Sequence, residues 1–453
     1  MRLYNDIRRA AMVSYVLLHM LTNFVQIPLV GFMANVLLVF VIALTIPSLG
    51  KTNRIVISSL LGAAVLILLL NKVPLSQWLE AFSRNGALAA LFITIPMLNI
   101  PFGYGDYQHE LQNFARRHLG SPFLFCLVVW ILTHLFGLII LIGAIPFMFN
   151  LLEGNAKMYG AEKEFASTLV HAQVSAGFWS PIWSSMIIVT YTLGIAWLDF
   201  VPFGLLVTLI FFVFSMLWLY ISLKRSGAHP IKASSDTTTS GSAMLTIVVL
   251  AILPVLVIVV VNYISDISIT SAIPIVSLGY PVAVAMVMGK WRRYATGMSD
   301  YFNVRILNVK NEVALLTAAG FFGKALELAG IQSAVTYLLP SNLADFPFLG
   351  IISIMMVFVI TVHFGMHPVV AGSAMVVSLA PQSLGLSQFM FGFVLITGWA
   401  LGILLSPFSA TNMVTGGLVG EPSWNISTKR HGIFGLSMLV LLSGVLALLS
   451  RYF

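Results

Sequence analysis

The sequence predicts an all-α polytopic membrane protein, with eleven transmembrane helices and two re-entrant hairpins in an inverted-topology repeat. Three observations predict it. The first is composition: 59% of the 453 residues are hydrophobic and 8% charged, with a mean hydropathy of +0.98, against roughly 45–50% apolar and about 25% charged in soluble domains. The second is the recurrence of apolar runs of about 20 residues, the length that crosses a hydrocarbon core. The third is a pair of Ser-Pro dipeptides, Ser180-Pro181 and Ser406-Pro407, placed mid-run 226 residues apart. The lone cysteine, Cys126, lies in an apolar run and excludes a disulfide framework,. The net charge of +8 matters for where it lies, and nucleic acid is not the expected partner.

Taken in order, spans are expected at 11–28, 31–49, 55–71, 87–104, 166–195 and 200–222. Arg2, Arg8 and Arg9 precede the first, but no small-residue cleavage site follows it, so it reads as a span and not a cleaved signal,. A polar, low-complexity linker at 223–242 then joins two halves,. Further spans fall at 243–263, 268–289, 313–332, 388–416 and 432–450. Two stretches, 121–150 and 347–381, are too long for one span and carry Gly, Pro, Thr and His at their middles. They read as re-entrant hairpins, whose non-helical tips are tolerated at membrane depth only beside protein or a water-filled cavity. One long tilted helix kinked at Gly or Pro is the alternative for either stretch. Short amphipathic pieces at 74–85 and 291–308 suit the membrane surface,.

Lys and Arg in loops set orientation. With both stretches as hairpins, 19 of the 23 basic residues fall to the cytoplasmic side, among them Arg116, Arg117, Lys157, Lys224, Arg225 and Lys232; Lys72, Arg84 and Arg451 fall outside and Lys324 within the membrane. The reading is a plasma-membrane protein with its amino end inside and carboxyl end outside. Counting either stretch as a crossing would carry a basic cluster to the outer face.

The halves repeat. Thr133-His134-Leu135-Phe136-Gly137 and Thr361-Val362-His363-Phe364-Gly365 share a T-x-x-F-G pattern at nearly the offset that separates the two Ser-Pro breaks. The first hairpin enters from inside and the second from outside, so the repeat is inverted. This gives a first repeat at 1–222, the linker, and a second repeat at 243–453.

A mid-span proline removes a backbone hydrogen bond and clashes with the preceding turn, so the helix breaks there. Freed carbonyls with Ser and Thr hydroxyls suit Na⁺, and helix amino ends suit anions. In the first half this points to Ser180, Pro181, Ser184 and Ser185 facing a tip formed by Thr133, His134 and Gly137. In the second, Ser406, Pro407, Ser409, Thr411 and Asn412 face Thr361, His363, Gly365 and His367. Ser and Thr also pack as small residues between membrane helices, but their presence beside a proline break in both repeats favours binding. The tip histidines His134, His363 and His367 are candidates to hold an anion or to satisfy a tip carbonyl. His19 and His171 have no repeat partner and read as structural. No Asp or Glu falls on a tip or break; Glu327 and Asp199 come closest to span interiors. That disfavours exchange on a buried carboxylate, and no nucleotide-binding or hydrolase motif is present.

In its order of spans, surface helix, hairpin and broken helix, repeated twice, the chain resembles the ion transporter superfamily, and within it the divalent anion:sodium symporter type. The run AAGFFGKALELAGI, from Ala318 to Ile331, is similar to a Gly-rich segment of such carriers. The Ser-Asn-Thr signatures of dicarboxylate carriers are absent in their usual form; Ser184-Ser185 and Ser409-Ala410-Thr411-Asn412 are the nearest matches. The resemblance implies scaffold spans (11–71 and 243–289), transport parts (87–195 and 313–416), an elevator-type secondary transporter of a small organic anion, a homodimer in membrane lipid, and no enzyme activity. Na⁺, or else H⁺, is the expected coupling ion, with no other cofactor. An antiporter or metalloid exporter of the same superfamily, and a non-transporting membrane scaffold or sensor, are the competing readings.

Overall fold

The computed structural model describes residues 2–25, 27–105, 119–230, 241–265, 267–338, 340 and 343–452. Arg116, Arg117 and Lys232, counted above to the inner face, and residues 231–240 of the linker lie outside the described residues. Among the described residues every regular element is helical. Eight helices are long and apolar enough to cross a membrane, or nine if Lys310–Leu328 and Ile331–Tyr337, bent by 67°, form one span. The protein is therefore polytopic and all-helical.

Several boundaries differ from the sequence reading, each for a local reason. The first helix is Arg2–Thr22 and not 11–28: its extra turns carry Arg2, Asp6, Arg8 and Arg9, which extend the helix but keep it out of those eight. The stretch at 313–332 bends at Ala329-Gly330, where Gly330 has φ of +70° and the chain turns into Ile331–Leu338. The first hairpin runs past 150, because Ala144–Tyr159 continues to a left-handed Gly160.

The helices gather into two compact units, each drawn from both halves of the sequence. Unit 1 comprises Met1–Tyr104, Pro254–Pro340 and Ser373–Ala380, and unit 2 comprises Gly105–Leu253, Ser341–Gly372 and Pro381–Phe453. Segments 87–104 and 313–332 are in unit 1, together with 11–71 and 268–289.

In unit 1, Lys51–Leu70 lies along Lys310–Leu328, with Ala64, Leu68, Ala81, Phe321 and Ala325 forming a buried cluster. Small residues on both helices let the backbones approach, the usual way membrane helices associate without a hydrophobic drive between them. Gly86–Thr94 runs into a 3-10 stretch, Ile95–Gly103, with proline at 96 and 101. The Tyr301 hydroxyl donates to the Ile93 carbonyl at 2.8 Å, and Asn85 Nδ2 donates to the Leu316 carbonyl at 3.0 Å. The amphipathic Trp291–Asp300 buries no residue, as expected of a surface helix,.

Unit 2 carries the hairpins and breaks. The first hairpin is Pro122–Gly137 and Ala144–Tyr159; the first broken helix is Glu162–Ala176 and Ser184–Leu193. The stretch expected as the second hairpin forms Pro347–His363 and Pro368–Ser378, the latter passing into unit 1 at Ser373; the second broken helix is Gln388–Leu405 and Ala410–Val419. Trp197–Ser226 and Gly432–Leu449 pack around them. Gln388–Leu405 lies tight against Pro347–His363, and Gly398 permits it: a Cβ there would stand 3.2 Å from Met355 Cα.

Candidate functional site

Both helices break where proline requires it. Ser406, just before Pro407, is extended (φ −89°, ψ 127°), the conformation a following proline imposes,. In the first break the chain leaves the helix after Ala176 and re-enters at Ser184 from an extended Trp183. Each break lies against the neighbouring tip, through the same pair of bonds in both halves of the chain. Ser180 Oγ donates to the Leu138 carbonyl at 2.8 Å and accepts from Ile182 N at 3.3 Å. Ser406 Oγ donates to the Val362 carbonyl at 2.7 Å and accepts from Phe408 N at 3.1 Å. Both serines are fully buried. Their hydroxyls are thereby satisfied inside the protein and work as latches between break and tip; they are not free ligand donors, as the sequence had suggested.

The two tips are held differently. In the first, His134 Nδ1 lies 2.7 Å from Ser175 Oγ, His134 Nε2 accepts from Trp179 Nε1 at 3.1 Å, and Trp183 Nε1 donates to the Gly137 carbonyl at 3.0 Å. His134 stacks on Trp130 at 5.1 Å. Gly137 sits where a Cβ would lie 3.2 Å from Ala176 Cβ. In the second, His363 Nδ1 lies 2.9 Å from the Leu405 carbonyl, and Thr361 Oγ1 returns to the Phe358 carbonyl at 2.9 Å. Beyond His363 the tip is exposed: Phe364 is 82% accessible, Gly365 takes φ of +98°, and His367 Nδ1 accepts from Val369 N at 3.2 Å. His134 and His363 therefore join tip to break, whereas His367 is an exposed turn residue that the structure does not bring to the breaks.

A small set of polar groups on the two breaks and the first tip is not engaged in this way. Ser185 is 1% exposed and its hydroxyl has no partner; it stands in the first turn of Ser184–Leu193, an amino end without a side-chain cap, beside half-buried Ser184. In the second repeat, Ser409 caps Ala410–Val419 by accepting from Asn412 N at 3.3 Å. Asn412 Nδ2 donates to the carbonyls of Ile403, Leu404 and Ser406 at 3.1, 2.9 and 2.9 Å, capping the carboxyl end of the preceding helix and leaving its buried Oδ1 unpartnered. Thr133 Oγ1 is likewise buried without a partner.

Gln173 joins the two repeats. Thr411 Oγ1 donates to Gln173 Oε1 at 3.1 Å, Gln173 Cα lies 3.5 Å from where a Cβ on Gly137 would stand, and Gln173 Nε2 is buried with no partner. The sequence reading missed it, since a lone Gln in an apolar helix has no repeat partner; the available signal was an uncharged polar side chain two turns before a proline break. The buried groups without a partner here are the Ser185 and Thr133 hydroxyls, Asn412 Oδ1 and Gln173 Nε2. Oxygen donors of this kind suit a hard cation, and helix amino ends with an NH₂ donor suit a carboxylate.

Unit 2 thus holds two broken helices, each bonded to the end of a neighbouring helix, with neutral polar groups on both breaks. A family model described as "Tripartite ATP-independent periplasmic transporter, DctM component" matches residues 153–450, a span that includes both breaks, and the chain belongs to that family. It is accordingly a multi-pass inner-membrane component of a tripartite secondary transport system, working with further components. The family found is this one and not specifically the divalent anion:sodium symporter type. No curated protein matches the sequence. A solved structure described as "Crystal structure of the Alcanivorax borkumensis YdaH transporter reveals an unusual topology" is similar at 14% identity with a TM-score of 0.45, covering 87% of this chain and 96% of that one.

Proposed function

We propose that this component takes up a small organic anion, a carboxylate or dicarboxylate, together with Na⁺, and that unit 2 carries the site across the membrane in an elevator-type movement. The observation that supports this most is the Thr411–Gln173 bond at 3.1 Å, which ties the second break to the helix that leads into the first, each break being latched to its own tip. Bound at that junction, an anion meets two helix amino ends and the Gln173 amide, and Na⁺ meets the Ser185 hydroxyl, Asn412 Oδ1 and break carbonyls. The latches let Pro122–Gly137 and Pro347–His363 each travel with its neighbouring break. The inside placement of the amino end, the outside placement of the carboxyl end and the homodimer belong to the same reading.

Uptake into proteoliposomes holding the complete tripartite system tests it, with radiolabelled di- and monocarboxylates and with or without an inward Na⁺ gradient. Na⁺-dependent accumulation is expected. Uptake that ignores the Na⁺ gradient, or that fails for every carboxylate while another solute accumulates, rejects it.

A further inference from the structure

The two breaks are alike in sequence and opposite in cover. Phe136 and Phe364 hold the same place in the T-x-x-F-G pattern, Ile182 and Phe408 each follow a Ser-Pro, and Ile187 and Met413 each stand seven residues beyond the serine. The three in the first half are 1%, 0% and 1% exposed, whereas their counterparts are 82%, 62% and 56% exposed. Aromatic rings close the first: Phe136 packs edge-on to Phe147 at 5.0 Å, and His134 stacks on both Trp130 and Trp179. The second keeps large apolar side chains at the same places without that cover.

These exposed side chains form one surface within unit 2. A Cβ on Gly365 would stand 3.6 Å from Phe408 Cδ2, so tip and break touch there. The His363 ring lies edge-on to Phe364 at 5.8 Å and to the half-exposed Trp424 at 5.4 Å. Met413 continues the surface along Ala410–Val419, on the exposed face it shares with Ala410 and Gly417. Hydrocarbon is not its neighbour. The chain from Phe364 to His367 is exposed and non-helical, which lipid does not tolerate, and the break it touches falls inside Gln388–Val419, a segment long and apolar enough to cross the membrane. Apolar surface left open to water beside polar groups marks a place where something apolar binds.

We propose that Phe364, Phe408 and Met413 are the apolar half of the cargo site, and that the anion carried is a monocarboxylate with an aromatic or branched aliphatic body. The inference rests on the reading that the breaks hold the cargo, and it narrows which carboxylate they hold. The carboxylate lies at the amino end of Ala410–Val419, where Asn412 is fully buried and its Oδ1 unpartnered, because a helix amino end favours negative charge. The rest of the molecule then lies on the Phe and Met surface, which begins one residue before Ser409 and ends one turn beyond it. A second carboxylate fits poorly: no Lys or Arg stands on the tip or the break, so it would give up water to an apolar surface without a counterion. A protein partner seated on the surface would close the break to the cargo, so the cargo itself is the occupant.

Calorimetric titration of the full chain in lipid nanodiscs, with Na⁺ present and an empty-disc blank subtracted, reads the preference directly, using acetate, succinate, 4-methylpentanoate and phenylacetate. The two apolar acids should bind about tenfold or more tighter than succinate, the scale on which an apolar surface discriminates between ligands. Phe364→Ala and Phe408→Ala should each bring that ratio down toward one. Both side chains are exposed, so the variants should unfold at the parent's temperature, and Tyr337→Ala, an exposed ring of unit 1, should keep the parent's ratio. Succinate binding as tightly as the apolar acids, or a parental ratio in both Phe variants, overturns the inference while leaving the breaks as the cargo site. Loss of assembly with the other components at an unchanged ratio makes the surface a partner contact and overturns it too. If no carboxylate binds, the reading of the breaks fails and takes this inference with it.

Discussion

Residues of one chemical type do opposite jobs in this protein, and their hydrogen bonds tell them apart. Ser180 and Ser406 are latches, each donor and acceptor at once, whereas the Ser185 hydroxyl is buried without a partner. Ser406→Ala leaves a buried carbonyl and a buried N–H unmatched and should cost about 1–3 kcal/mol of stability, read as a lower unfolding temperature of the purified protein. Ser185→Ala removes no bond and relieves a buried unpartnered hydroxyl, so it should leave stability unchanged or raise it, and should instead weaken Na⁺ dependence or substrate affinity in uptake assays. If the two variants changed stability equally, the division between latch and ligand would fail. Gln173→Leu keeps the volume but takes the acceptor from Thr411, and should abolish uptake while the protein still inserts and purifies. The sequence pointed to both serines by their place beside proline. It could not say which hydroxyl was free, because that depends on carbonyls some 40 residues away.

At the scale of elements, the second tip is the looser of the two. It lacks the tryptophan donors that hold the first, and its turn depends on Gly365 at φ +98°. Gly365→Ala should therefore cost about 1–2 kcal/mol through backbone strain, read as a lower unfolding temperature, and slow transport. A variant as stable as the parent would mean that the turn is not strained. The breaks themselves were legible residue by residue, since proline's missing N–H and its clash with the preceding turn act locally. The extension of the first hairpin to Tyr159 was not, because Asn150, Glu153, Asn155 and Lys157 look like a loop until the buried face of Leu151, Leu152, Asn155 and Ala156 is seen packed.

For the whole molecule, the charge distribution predicts orientation. In a Cys126→Ala background, Arg451→Cys should react with an impermeant thiol reagent applied from outside the cell, and Arg225→Cys only after the membrane is opened. Labelling of position 225 from outside would reverse the topology. The sequence by itself determined the membrane setting and the two proline breaks, because composition, helix length and proline chemistry act over a few residues. Tertiary structure decided which polar atoms are free. It also drew each compact unit from both halves of the chain and brought Gln173 to Thr411 and His171 to His431. Those outcomes depend on packing between segments more than 200 residues apart, where side-chain geometry, and no local pattern, sets which donor meets which acceptor.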